Sequence, residues 1–116
     1  MKKPKIFDMC FSVIHDAYVK KAVRKQRTKE EVDTIICWLT GYSVENLHML
    51  SRSEHITLEQ FFNQAPHINE HADLITGTIC GVRIEEIEDD MMKKIRWLDK
   101  LIDELAKGKA IDKILK

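Results

Sequence analysis

The chain is short of the residues that make turns and breaks. It has two prolines and four glycines in 116 residues, which suits helices joined by short links. It has no apolar run near the roughly 18 residues that a membrane span needs. Its basic start, Met1-Lys2-Lys3-Pro4-Lys5, is not followed by the apolar stretch of a signal peptide. No membrane association and a cytoplasmic location are therefore expected. Cysteine is scarce too. Cys10, Cys37 and Cys80 are odd in number, far apart and free of any Cys-x-x-Cys spacing, so neither a zinc ribbon nor a redox pair is indicated. Buried, reduced thiols are expected. Net charge is zero, whereas a DNA-binding domain would be clearly positive.

What is present is an ordinary globular composition, 44% hydrophobic and 33% charged. Its length suits one domain over 1–116, with a core that needs no metal or disulfide. The strongest pattern lies in the C-terminal third. Met91, Ile95, Leu98, Ile102 and Leu105 recur at a 4-3-4-3 spacing, which places them on one face of a helix. Asp89 and Asp90 can cap its start, and Lys107 with Gly108 marks its end. Phe7, Phe11, Ile14, Tyr18 and Ala22 predict a first helix from about Ser12 to Lys25, with Ser12 as its cap. Thr28-Lys29-Glu30-Glu31 is a capping box ahead of an apolar stripe at Val32, Ile35, Ile36 and Leu39, which Gly41 ends. Ser43 can cap a third helix with Val44, Leu47 and Leu50 inward. Thr57-Leu58-Glu59-Gln60 is a second capping box, opening a short helix that Pro66 stops. Leu74–Val82 is apolar and β-branched. A lone strand would have no partner elsewhere, so a short buried helix or turn is expected there. The fold class is all-α: about five to six helices around a long C-terminal one.

Four stretches carry a family resemblance: Lys-Ala-Val-Arg-Lys-Gln-Arg-Thr-Lys-Glu-Glu-Val-Asp at 21–33, Trp-Leu-Thr-Gly-Tyr at 38–42, Ile-Thr-Gly-Thr-Ile-Cys-Gly-Val-Arg at 75–83, and Ile-Arg-Trp-Leu-Asp-Lys-Leu-Ile-Asp-Glu-Leu-Ala-Lys-Gly-Lys at 95–109. Together they resemble the bacterial domain of unknown function 2200 family, over nearly the whole chain. Asp89-Asp90 stands where that family usually has Asp-Pro. The resemblance implies a compact all-helical bacterial domain. It implies no activity and carries over no catalytic residue.

Several constellations could carry chemistry. His67-Ile68-Asn69-Glu70-His71 matches the His-x-x-Glu-His pattern of inverted zinc proteases, which needs both imidazoles on one helix face. Pro66 precedes it, and a third ligand would have to come from Glu85, Glu86 or Glu88. A polar loop with two exposed histidines is expected instead, with no metal or cofactor. The acids from Glu85 to Asp90 suit a helix start. Cys80-Gly81-Val82-Arg83 sets a thiol beside a guanidinium, which could lower a thiol pKa, although no histidine base can be assigned. Lys20–Lys29 holds six cations and no acid, without the aromatic interleaving of a single-strand binder, so nucleic acid is not expected as a partner.

Residues 1–58 carry ten Lys/Arg and seven Asp/Glu, and residues 59–116 carry nine and twelve. The halves, +3 and −3, should attract, within one molecule or between two. Like charges four apart, Asp99 with Asp103 and Arg96 with Lys100, call for partners from another helix or subunit. Trp38 and Trp97 both sit off their helices' main stripes, which fits a second packing layer, a ligand cleft or an interface. The expected function is a binding protein that self-associates, with Trp97, Asp99 and the polar face of the 90–107 helix meeting the basic 20–29 segment. The alternative is a small-ligand-binding domain or enzyme with a cleft around Cys80, Arg83, Glu85 and Glu86, where Arg83 holds an anion.

Overall fold

The structure, a computed structural model, describes residues 4–115. Much of the basic start and the last lysine lie outside that span. Among the described residues there are six α-helices: α1 (Phe11–Arg24), α2 (Lys29–Thr40), α3 (Val44–Arg52), α4 (Leu58–Asn63), α5 (Asp90–Ala106) and α6 (Ile111–Ile114). Three short 3-10 turns and a two-stranded hairpin, β1 (Thr78–Ile79) and β2 (Val82–Arg83), complete the set.

The long helix is the centre. α5 spans 17 residues, about 26 Å at 1.5 Å per residue. The Asp89 side chain accepts from Met92 N, as an N-cap should. Ile95, Leu98, Ile102 and Leu105 are fully buried. Trp97 and Leu101 are buried as well, so α5 packs on two sides, against α1, α2, α4 and α6. Among the described residues no helix is long and apolar enough to cross a membrane.

Local signals were accurate at most helix starts. Thr28 and Thr57 form the two reciprocal capping boxes, and Ser43 accepts from Asn46 N. Gly41 ends α2 at φ 78°. The start of α1 differs from expectation: its N-cap is Cys10, without a side-chain cap, and not Ser12. The reason is tertiary. Phe11 N donates to Ile56 O at 2.8 Å, and Leu58 N to Met9 O at 2.8 Å, so the starts of α1 and α4 exchange backbone hydrogen bonds. A free helix N–H satisfied in this way needs no side-chain cap. Phe11 and Phe61 then stack with ring centroids 3.8 Å apart. In α3, Leu47 is buried, but Val44 is half exposed and does not point inward.

The expectation for Leu74–Val82 is corrected. The stretch pairs with its own continuation as an antiparallel hairpin, Thr78 opposite Arg83 and Ile79 opposite Val82. The two loop residues, Cys80 and Gly81, have φ of 53° and 76°, as a type I′ turn requires. A hairpin supplies its own partner strand, and Ile79 beneath it packs toward α5. Cys80 is consequently exposed at the tip, while Cys10 and Cys37 are half-buried, so the expectation of three buried thiols fails.

Candidate functional site

The site grows from the C-terminal end of α2. The last turn of a helix leaves carbonyls without intrahelical donors. Here the chain after Pro66 returns across that end and supplies them. His67 N donates to Thr40 O at 3.1 Å and Asn69 N to Leu39 O at 2.9 Å. The Asn69 side chain does two further jobs: Nδ2 donates to Trp38 O at 3.2 Å, and Oδ1 accepts from His71 N at 2.8 Å. The approach is close. A Cβ on Gly41 would stand 2.9 Å from both His67 N and His67 O, nearer than real Cβ atoms come, so only glycine fits.

This stitching leaves a preformed hollow of about 430 Å³ between α2 and the returning segment, lined by Trp38, His67, Asn69, Glu70 and His71. Trp38 and Asn69 are half-buried, while His67, Glu70 and His71 are exposed. His67 lies in irregular chain and His71 in a 3-10 turn (Glu70–Leu74). The four-residue spacing therefore does not set the two imidazoles on an α-helical face. Among the described residues no three His, Cys, Asp or Glu side chains converge to hold a metal ion. Sequence reasoning had both halves of the hollow, an off-stripe tryptophan and a histidine pair, but nothing to join segments about thirty residues apart.

The residues expected to bind are scattered or engaged. Glu85 Oε1 accepts from Gly77 N at 2.6 Å, and that hydrogen bond is the main reason its carboxyl is held below its ordinary value. Arg83 and Glu86 are exposed and 3.5 Å apart as a pair. Trp97 is only 8% exposed and belongs to the core, so it cannot serve as a surface anchor. Asp99 accepts from the Tyr18 hydroxyl and, at 2.9 Å, from Arg96. Burial, then Asp99, pushes the Tyr18 hydroxyl well above its usual range.

Of the basic segment's ion pairs, one bridges the two halves and three lie within the first. Lys21 Nζ on α1 lies 3.2 Å from Asp103 on α5, which Lys107 also meets at 3.0 Å. Arg27 pairs with Glu31 at 2.6 Å and donates to Lys109 O at 2.9 Å. Lys20 and Lys29 are paired with Asp16 and Asp33. A second hollow of about 380 Å³, lined by Thr76, Lys100, Glu104, Lys107 and Lys109, looks basic but is not free. Lys109 sits 2.6 Å from Glu104, and Lys100 donates to Thr78 O at 3.3 Å.

One polar centre was not anticipated. Asp33 on α2 is 4% exposed. His15 Nε2 from α1 lies 2.7 Å from its Oδ1, and Lys29 Nζ and His48 Nε2 lie 2.9 and 3.3 Å from its Oδ2. Burial raises the Asp33 carboxyl, but the hydrogen bonds and charges of His15 and Lys29 outweigh it and hold the pKa low. The neighbouring Cys37 thiol is pushed up by burial and by Asp33, the opposite of what a nucleophile needs. The cluster ties three helices together at a buried charge. The one signal for it was an aspartate beside the apolar stripe, four residues after a lysine.

The chain was also compared with known proteins. The comparison with curated proteins returns no match. Over its whole described length the fold is similar to the crystal structure of uncharacterized protein SP1917, with a TM-score of 0.92 and 42% sequence identity, covering 98% of this chain and 93% of that one. A family model described as "Uncharacterized protein conserved in bacteria (DUF2200)" matches residues 5–116. On the strength of that match, which spans nearly every residue of this helical chain, the protein belongs to the DUF2200 family.

Proposed function

We propose that the protein works by binding, and that the hollow beside Trp38 is its binding surface. The observation that supports this reading is preorganisation. The wall of the hollow is hydrogen-bonded to the end of α2 through His67 and Asn69, so a ligand would meet a shape already formed and would not have to order a loop. Within the hollow a half-buried indole stands beside imidazole and carboxylate groups, a mixture that offers both contact area and directional hydrogen bonds. The cleft around Cys80, Arg83, Glu85 and Glu86 is less favoured, because Glu85 is spent on Gly77 and Glu86 faces Arg83.

The test is a two-dimensional NMR titration of the full chain with a small set of fragments of mixed charge. Shifts should concentrate on the Trp38 indole and the amides of residues 67–71. Shifts confined to other surfaces would sink the proposal.

Self-association is a second reading. Trp97 gives it no support, but Met49 is 68% exposed and shares α3 with the half-exposed Val44. Sedimentation velocity at high concentration should then show a dimer that Met49→Glu dissociates. A single monomeric boundary at all concentrations would end this reading.

A further inference from the structure

We infer that the hollow takes a small organic cation, an ammonium or guanidinium group, an inference that rests on the binding proposal above. Three observations point to the sign of the charge. First, the lining contains one carboxylate, Glu70, and no lysine or arginine, in a chain where 19 of 116 residues are basic. Second, the hollow abuts the C-terminal end of α2, the negative end of its dipole. α2 has no basic residue in its last turn, and its last carbonyls are met only by the neutral donors His67 N, Asn69 N and Asn69 Nδ2. Third, Trp38 is half-buried at the lining, and an indole face attracts a cation through its quadrupole. An anion would meet Glu70 and would find no lysine or arginine in exchange.

The remaining groups fit this assignment. Asn69 has both ends of its amide engaged in holding the wall, so it shapes the hollow and leaves recognition to others. The His67 ring can accept from an N–H of the ligand through a neutral nitrogen. The volume, about 430 Å³, lies in the range of small-molecule sites.

The experiment uses the intact protein and four probes: choline, methylguanidinium, 3,3-dimethylbutan-1-ol as the neutral isostere of choline, and inorganic phosphate. Binding is followed on the Trp38 indole N–H and the amides of residues 67–71. One or both cations should shift these resonances saturably, and the neutral isostere and phosphate should not. Glu70→Gln, at an exposed position that leaves the fold alone, should weaken cation binding about fivefold. Trp38→Leu should weaken it further. If phosphate or the neutral alcohol saturates the same resonances and the cations do not, the cation assignment is wrong while the hollow remains a binding surface. If no probe moves those resonances, the binding proposal fails with it. Cation binding that Glu70→Gln leaves unchanged also overturns the inference.

Discussion

At the residue scale, a few side chains hold more than their neighbours suggest. Asp33 is nearly sealed from water and serves three donors. Removing one member of a buried charge pair costs far more than the pair itself contributes. Asp33→Ala should therefore lower unfolding free energy by about 3–5 kcal/mol, measured by urea denaturation at neutral pH. Because the folded carboxyl titrates below its ordinary value, its contribution is complete above the unfolded value, near pH 4. It is lost as pH falls through the lower folded value. In Asp33→Asn that segment of the acid stability curve should flatten. Glycines offer a paired comparison. Gly41 and Gly81 both have positive φ, but a Cβ would strike His67 only at Gly41 and would meet nothing within 4 Å at Gly81. Gly81→Ala should cost about 1 kcal/mol, the left-handed penalty alone. Gly41→Ala should cost at least about 2 kcal/mol and broaden the amide signals of residues 67–71. Equal costs would mean that the contact between Gly41 and His67 is not as close as described.

At the scale of elements, α5 and the hairpin show opposite degrees of legibility. The stripe Met91, Ile95, Leu98, Ile102 and Leu105 is a local pattern, and a 3.6-residue period reads it directly. Trp97 and Leu101 form a second buried side that no single stripe announces, because a helix packed on both sides loses its clean polar face. Both sides should carry weight. Leu98→Ala should cost about 2–5 kcal/mol and Trp97→Ala about 3–5 kcal/mol, read from thermal and chemical denaturation. A Trp97 variant as stable as the parent would return that residue to the surface. The hairpin needs no partner elsewhere in the chain, because its second strand follows directly on its first. Its signal was local after all: a two-residue loop ending in glycine, flanked by the β-branched Thr78, Ile79 and Val82. Cys80 is an unusual first loop residue at φ 53°, where asparagine is favoured. Cys80→Asn should raise stability by about 0.5 kcal/mol without altering the core, and a loss of stability would argue against the type I′ turn.

At the scale of the whole molecule, the basic segment pairs mostly within its own half, and Lys21 with Asp103 bridges to the other. Four of the six cations in Lys20–Lys29 already face carboxylates of the same chain. That segment should therefore show no salt-dependent retention on duplex or single-stranded DNA, and a retention that falls steeply with salt would contradict this. What the amino-acid order determined alone was whatever depends on near neighbours: the caps at Thr28, Ser43, Thr57 and Asp89, the stop at Gly41, and the apolar face of α5. These follow from hydrogen bonds and side-chain directions spanning three or four residues. What only the tertiary structure decided was which distant groups meet. Trp38 comes to line one hollow with His67 and Glu70, Asp33 draws in His15 and His48, Cys10 replaces Ser12 as a cap, and Trp97 goes inward. Those choices depend on how helices cross and which backbone groups they leave unsatisfied, and neither quantity is set by any stretch of chain shorter than the fold.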